Sequence, residues 1–334
     1  MPTSRPPSMA DVAAAAGVSH QTVSRVLNGH EYVRAETRER VQAAIDALGY
    51  RRNQAARTLV TRRSATIGLV TTGTTHFGPS STALAIEEAA RDAGLFVSIA
   101  ALPSPDAAAA ARVFDQLMAQ GVDGVIVVAP LVAVAQALDD VTPPVPVVVV
   151  AARRDVPAHS SVRYVAVDQH AGAAEVVDHL VSLGRDRIAH IHGPDTWFDA
   201  LERARGFGDA VERAGARGTV VRADGWGAED GHRVGSELVR GVRAGEITAV
   251  AAANDYLALG ALRAFAEEGI RVPDDVAVAG FDDIDGSGFL VPSLTTVRQP
   301  FARLGAVALR AAGSDEAPVA ALAPELVVRE SSGE

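Results

Sequence analysis

The chain has 334 residues, 48% of them hydrophobic, which is enough for roughly two or three domains with sizeable cores. It contains no cysteine, so disulfide bonds and cysteine-ligated metals are excluded. No apolar run is long enough to span a membrane, and the polar start of the chain lacks the apolar stretch of a signal peptide. We therefore expect a cytoplasmic protein.

The net charge of −10 is unevenly divided along the chain. Residues 1–63 hold ten Arg against five acidic residues, a charge of +5, and the remainder holds 21 Arg against 36 acids, a charge of −15. A small basic segment on a large acidic one is typical of one DNA-binding module carried by a body that does not touch phosphate. Ordinary scatter of charge is the alternative.

The first 50 residues predict three short helices. Ser8 and Asp11 have the spacing of a capping box ahead of the first helix. Ser19 then caps a second helix at residues 20–27. The third helix, at about residues 35–48, follows from apolar residues at helical spacing. These apolar residues are Val41, Ala44, Ile45 and Leu48.

The three helices predict a helix-turn-helix unit, with a tight turn at Gly17. Four valines fill its small core: Val12, Val18, Val23 and Val26. The other face of the second helix is polar, and Gln and Arg side chains read base edges in the major groove. The residues of this face are His20, Gln21, Thr22 and Arg25. An unrelated small helical bundle is the alternative.

These residues and those that follow resemble the LacI family of transcriptional regulators. The resemblance is carried by DVA…GVSHQTVSRVLN from Asp11 to Asn28 and by TRERV…LGY…NQAARTL from Thr37 to Leu59. It extends over essentially the whole chain. In that family the residues matching His20, Gln21 and Arg25 contact bases. The resemblance implies a DNA-binding set of Ser19, His20, Gln21, Thr22, Ser24, Arg25, Asn28, Asn53, Ala56 and Leu59.

Residues 53–63 resemble the hinge helix of the family, which forms when two subunits and DNA stabilise it. Leu59 matches a leucine that enters the minor groove and bends the duplex, and a linker residue packed on the body is the alternative. The resemblance implies a homodimer on palindromic operator DNA. The tail from Ser331 to Glu334 has no leucine heptads of the kind that form tetramers in the family, so we expect a dimer. We divide the chain into a DNA-binding domain at 1–52, the hinge, and an effector-binding and dimerisation domain at 64–334.

The remainder alternates apolar runs with Ala-rich amphipathic segments, a pattern typical of parallel sheets covered by helices. Strands are predicted at 66–70, 96–100, 124–128, 145–150, 164–167, 188–192, 220–222, 249–252, 276–280 and 325–328. Helices are predicted between them, for example at 81–93 and 106–120. At this length an α/β body of two lobes is favoured over one sheet. The resemblance implies the fold of periplasmic binding proteins, with three crossovers and a ligand cleft outside the carboxyl ends of the strands.

Candidate effector-binding residues follow the ends of these strands. They are Phe77, Ser80, Arg203, Trp226, Asn254, Asp282, Gln299 and Phe301. A sugar needs Asp, Asn and Arg for its hydroxyls and an aromatic face for the C–H side of its ring. The resemblance places Arg203, Trp226, Asn254, Asp282 and Phe301 at sugar-site positions.

Each candidate has an ordinary structural alternative. Asp282 could cap a turn, and Asn254 could cap the helix that follows it. Arg203 could pair with a carboxylate on its own helix, and Trp226 could belong to the core or to an interface.

Val128 and about Ala151 stand where the family has polar groups, so we expect a more apolar pocket on that side. We predict a glycoside or disaccharide-like effector, and a corepressor such as a purine stays open as the alternative. Effector binding should rotate the lobes, disorder the paired hinge helices and lower operator affinity, and operator DNA must lower effector affinity by the same factor.

No catalytic constellation is evident. His190 and His192 share one face of a strand but have no third metal ligand nearby, and Gly206 and Gly208 do not begin a dinucleotide-binding fingerprint. We expect neither a metal nor a cofactor. A free sugar-binding protein is disfavoured by the basic helix-turn-helix and the missing signal peptide. An enzyme on a related α/β scaffold is the other rival class.

Overall fold

The computed structural model describes residues 7–27, 29–30, 32–51, 63–72, 76–104, 106–139, 141–313 and 321–333. The chain divides into two compact units, Met1–Ser64 and Ala65–Glu334, called the head and the body below. Among the described residues, no helix combines the length and apolar character that a membrane span needs. Four predicted DNA-binding residues lie outside the described residues: Asn28, Asn53, Ala56 and Leu59.

The head consists of helices whose bounds match the prediction: α1 Met9–Ala16, α2 His20–Leu27 and α3 Ala35–Leu48. The capping box of α1 is present, because the Asp11 N–H donates to Ser8 Oγ at 3.3 Å and the Ser8 N–H donates to the Asp11 carboxylate at 2.7 Å. The turn that follows requires Gly17, whose φ of +63° is unfavourable for a residue with a side chain. Local sequence signals therefore determine this unit.

Valines form the core of the head. Val12, Val23 and Val41 have no exposed surface, and Val18 is partly buried against them. Leu48, the last residue of the predicted apolar stripe on α3, is instead exposed. The helix ends there, and the chain turns so that Tyr50 is buried in the core in its place.

The described part of the body contains two parallel sheets and one antiparallel pair of strands. The first sheet has the order β2-β1-β3-β4-β5, and the second has the order β7-β6-β8-β9. The strands are β1 Thr66–Thr71, β2 Phe96–Ala101, β3 Gly124–Val128, β4 Val147–Val150, β5 Arg163–Val165, β6 Arg187–His192, β7 Arg217–Arg222, β8 Ala249–Ala252, β9 Ala277–Ala279, β10 Thr296–Arg298 and β11 Glu325–Val327.

These strands confirm the predicted α/β body, with differences of up to three residues at their ends. The strand β10 was not predicted, and the last strand of the chain pairs with it in antiparallel fashion. The strand β10 has only three residues and no apolar run, so its sequence carries no strand signal. Its extended conformation depends on a partner far along the chain.

The helices of the body are α4 Phe77–Asp92, α5 Ala107–Ala119, α6 Val132–Leu138, α7 Gln169–Ser182, α8 Phe198–Ala214, α9 Ala228–Arg243, α10 Asp255–Glu267 and α11 Phe301–Gly313. The helix α4 begins four residues before the predicted start, so the segment 77–79 that was predicted as a loop is its first turn. Pro79 is tolerated there because the first turn needs no donor from its backbone.

Each parallel sheet is the centre of one lobe. Helix α11 packs on the first sheet, through Leu304 and Val307, although it follows the second sheet in the sequence. The chain therefore passes between the lobes near residues 166–168, 299–300 and 321–324. A parallel bridge from Val167 to Leu322 joins the first and third passages, and one from Asp282 to Arg298 ties the start of the second passage to the loop after β9. The three crossovers implied by the resemblance are present.

Candidate effector cavity and DNA-reading helix

A cavity opens in the body at the carboxyl ends of both parallel sheets. Val128 and Val150 reach it as the last residues of β3 and β4. Asn254 and Asp282 reach it from the loops that follow β8 and β9. Ligands of open α/β sheets bind at this edge, where the strands of both lobes end.

Most of the candidate effector residues meet in this cavity. The lining residues among them are Phe77, Arg203, Trp226, Asn254, Asp282, Gln299 and Phe301. Ser80 is not among the described lining residues, whereas Gly78 and Thr82 are. Because α4 starts at Phe77, its first turn lies at the cavity, and Gly78 and Thr82 share one helical face there.

Arg203 is the centre of a buried polar circle. Its Nε donates to Gln169 Oε1 at 2.9 Å, one terminal nitrogen donates to Asp282 at 3.3 Å, and the other donates to the Ala253 carbonyl. Gln299 Nε2 donates to the same Asp282 oxygen at 2.7 Å, and Gln169 Nε2 donates to Gln299 Oε1 at 2.9 Å. The hydrogen-bond partners of Arg203 thus come from other elements, while its charge also acts on the Asp199 carboxylate on its own helix. Gln169 was missed because only the fold brings it near Arg203.

Burial sets the electrostatics of the site. It raises the pKa of Asp282 to about 6, against the opposing effect of the Arg203 charge. Behind it, burial raises the pKa of Asp255 to about 7, and the charge of Asp282 adds to the effect. Burial also raises the pKa of Asp199, which lines the cavity on the first turn of α8. The site therefore holds its carboxylates at an energetic cost that a donor can offset.

Asn254 caps a helix, which is the structural alternative considered for it. Its Oδ1 caps α10 by accepting the Leu257 N–H at 2.8 Å, and its Nδ2 donates to the Trp226 carbonyl at 3.2 Å. It nevertheless lines the cavity. Asp282 has a φ of +112°, a conformation that an aspartate adopts only where its surroundings hold it.

Aromatic rings form two walls of the cavity. The Trp197 and Trp226 rings meet edge to face at 5.6 Å, and the His76 ring meets Trp197 at 5.1 Å. The Phe77 and Phe301 rings meet edge to face at 5.8 Å. A third part of the wall is apolar, and Val128 and Ala151 contribute to it as expected. Ring faces beside a polar circle suit a ligand with C–H and hydroxyl surfaces.

The two strand histidines have structural roles in the second lobe. The His190 ring is buried, stacks on Phe207 at 5.0 Å and lies 2.8 Å from the Ala251 carbonyl through Nδ1. Burial lowers the pKa of His190 to about 3, so the ring is neutral. His192 Nε2 lies 2.8 Å from an Asp195 oxygen. Within the part of the chain that the structure describes, no group of three or more acidic or histidine side chains is arranged to hold a metal.

In the head, α2 presents the predicted polar face to solvent. His20, Gln21 and Arg25 are exposed on it. Ser19 precedes the helix and accepts the Thr22 N–H at 3.1 Å, and the two hydroxyl groups lie 2.9 Å apart. Ser24 is partly buried. The cap fixes the start of the helix, so its exposed side chains project from a rigid element.

A basic helix-turn-helix head and a two-lobed body with a polar and aromatic cavity define a ligand-responsive DNA-binding regulator. Two family models agree with the two parts: bacterial regulatory proteins of the lacI family over residues 8–53, and a periplasmic binding protein-like domain over residues 177–332. The chain is 34% identical over 307 residues to the lactose operon repressor of Escherichia coli (strain K12), covering 90% of this chain and 82% of that protein. The chain belongs to the LacI family.

Two solved structures extend the comparison. A lac repressor dimer bound to operator and the anti-inducer ONPF superposes with a TM-score of 0.83 at 32% identity, covering 98% of this chain and 99% of the other. A complex of the transcriptional regulator CelR with cellobiose gives a TM-score of 0.71 at 32% identity, covering 97% and 99%. The similarity therefore spans the head and the body of this chain.

Proposed function

We propose that this chain is a transcriptional repressor that binds a palindromic operator as a homodimer and releases it when a glycoside or disaccharide-like sugar fills the cavity of the body. The observation that carries the proposal is the cavity itself, where the Arg203 circle faces the aromatic walls. Relatives support both partners, since a similar repressor is a dimer on operator DNA and a similar regulator binds cellobiose. The latter favours a sugar over a purine corepressor.

The chemistry of the cavity accounts for this choice of effector. Asp282, Asn254 and Gln299 offer donors and acceptors for neighbouring hydroxyl groups, and Arg203 holds the Asp282 carboxylate in place. Trp226 supplies a ring face for the C–H side of a pyranose. Two separate aromatic walls favour an effector with two rings.

The proposed DNA contacts are the exposed side chains of α2, with Arg25 and Gln21 reading base edges in the major groove. Effector and operator bind at different sites, so their effects on one another must be reciprocal. A sugar that weakens operator binding by a given factor is itself bound more weakly by the operator complex, by the same factor.

The test uses the two tryptophans of the chain, Trp197 and Trp226, which both line the cavity. Their intrinsic fluorescence reports binding there, and Trp197→Phe and Trp226→Phe assign the signal. An operator selected from random DNA is labelled, and its anisotropy is followed at fixed salt while mono- and disaccharides are added. We expect one sugar both to change the fluorescence and to release the operator. The two concentration ranges should agree once the weaker binding of the sugar to the operator complex is taken into account.

Operator binding that no sugar disturbs, with unchanged fluorescence, would refute the sugar effector and keep the DNA-binding half of the proposal. Operator binding that a purine strengthens would support the corepressor alternative.

A further inference from the structure

One carboxylate in the cavity stands outside the polar circle. Asp199 lines the cavity and is partly accessible from it, whereas Asp282 is buried and already accepts hydrogen bonds from Arg203 and Gln299. In the described part of the chain, the groups that favour the ionised form of Asp199 are the charge of Arg203, which acts without a direct ion pair, and the backbone N–H of Ala152. The Asp199 carboxylate therefore has capacity to accept hydrogen bonds from a ligand.

The surroundings of Asp199 make that capacity costly to leave unused. Val128 and Ala151 line the same cavity, and burial raises the pKa of Asp199. A carboxylate with few donors in an apolar wall gains free energy from any hydroxyl or ammonium group placed against it. Since Arg203 is already paired with Asp282, Asp199 also makes the net charge of the cavity negative when it is ionised.

Asp199 is held in place from the opposite lobe. The Phe198 N–H donates to the Pro130 carbonyl at 3.0 Å, and the Val132 N–H donates to the Thr196 carbonyl at 3.0 Å. The Ala152 N–H adds a bond to the Asp199 carboxylate itself. These bonds fix the start of α8, so a ligand that meets Asp199 has little conformational entropy to remove.

We propose that Asp199 is a further effector-binding residue that selects for a hydrogen-bond donor, a hydroxyl or an amine, at the apolar end of the cavity and rejects an effector carrying a carboxylate or phosphate there. This inference rests on the proposed function, because it assumes that the cavity binds a glycoside. It deepens that function by assigning the charge class of the effector: neutral or basic sugars bind, and uronic acids and sugar phosphates do not.

The test compares the neutral sugar found in the fluorescence titration with its uronic acid and 6-phosphate forms. Each is titrated against the full chain, Asp199→Asn and Asp199→Ser, with Asp195→Asn as the control. Asp195 is a half-exposed carboxylate four residues earlier that is not among the described lining residues of the cavity. Asp195→Asn therefore removes the same charge from the chain as Asp199→Asn, but outside the described lining. Thermal unfolding curves confirm that each variant is folded.

We expect the unaltered chain to prefer the neutral sugar over the acidic forms, and Asp199→Asn to reduce that preference by about tenfold or more, the scale of one charge-assisted hydrogen bond. Asp199→Ser should reduce the preference too, and Asp195→Asn should leave it unchanged. A preference that is the same in both Asp199 variants and in the unaltered chain would overturn the inference alone. A chain that binds no sugar at all would overturn the proposed function, and this inference with it.

Discussion

Replacement of Gly206 by alanine tests whether the packing of two helices supports the cavity. Gly206 lies on α8 against the start of α7, and a Cβ atom built on it would lie 2.2 Å from the His170 carbonyl oxygen and 2.8 Å from its Cα atom. All the atoms that it would meet belong to the backbone, so relief requires a movement of the helix. Ordinary contacts between such atoms are about 3.5 Å, which implies a shift of roughly 1 Å.

The expected cost follows from two opposing effects. Overpacking of this kind costs about 1–3 kcal/mol, and the greater helix propensity of alanine recovers at most about 1 kcal/mol. Because the obstacle is backbone, we expect Gly206→Ala to lower the free energy of unfolding by about 1–2 kcal/mol. It should also weaken effector binding, since His170 adjoins Gln169, whose oxygen accepts the Arg203 Nε–H.

Gly208 provides the matched control on the same helix. It is exposed and has nothing within 4 Å of a built Cβ, so Gly208→Ala should raise the free energy of unfolding by about 0.5–1 kcal/mol through helix propensity alone. Urea unfolding followed by tryptophan fluorescence measures the body specifically, because both tryptophans lie in it. The reasoning is refuted when Gly206→Ala unfolds at the same urea concentration as Gly208→Ala, or at a higher one.

Two further changes address the head and the acids of the body. Arg25→Ala should weaken binding to the selected operator by about 1–3 kcal/mol, whereas Arg40→Ala, an equal charge change on the exposed part of α3, should change specific and random DNA binding alike, as measured by anisotropy at fixed salt. Burial raises the pKa of Asp255 from 3.8 to about 7, so the folded state binds the proton of Asp255 more tightly than the unfolded state does. The free energy of unfolding therefore falls as the pH rises from about 4 to about 7. Asp255→Asn should reduce that fall in urea unfolding measured from pH 5 to pH 8, and an undiminished fall would exclude Asp255 as its source.

Local signals explain why the head could be predicted from sequence almost to the residue. The Ser8 capping box, the left-handed Gly17 and the Ser19 cap each act within four residues, so they fix helix ends without help from the rest of the chain. Leu48 is the exception, because its burial depends on where the chain goes after α3.

The strands of the body were predicted correctly where apolar runs are long. A strand was missed where its conformation depends on pairing with a distant segment. The buried strands β3 and β4 are continuous runs of Val and Ile with flanking breaks, whereas Thr296–Arg298 is a strand only because β11 pairs with it. The start of α4 was misplaced because Pro79 was taken as a loop residue, and a proline fits the first helical turn equally well. The cavity residue Gln169 carried no signal, because only the fold brings it near Arg203, whereas the helical spacing of Asp199 from the candidate Arg203 was a signal that the prediction left unused.

The polar circle connects the proposed effector site to the passages between the lobes. Gln169 directly follows the first passage, Gln299 belongs to the second, and their amides bond to each other and to the Arg203–Asp282 pair. A sugar that takes hydrogen bonds from this circle changes the balance of forces on two of the three segments about which the lobes can turn. An effector shifts the equilibrium between two arrangements of the lobes only when it binds one arrangement more tightly than the other. Gln169 and Gln299 therefore line the proposed effector site and also lie at the segments about which the lobes can turn.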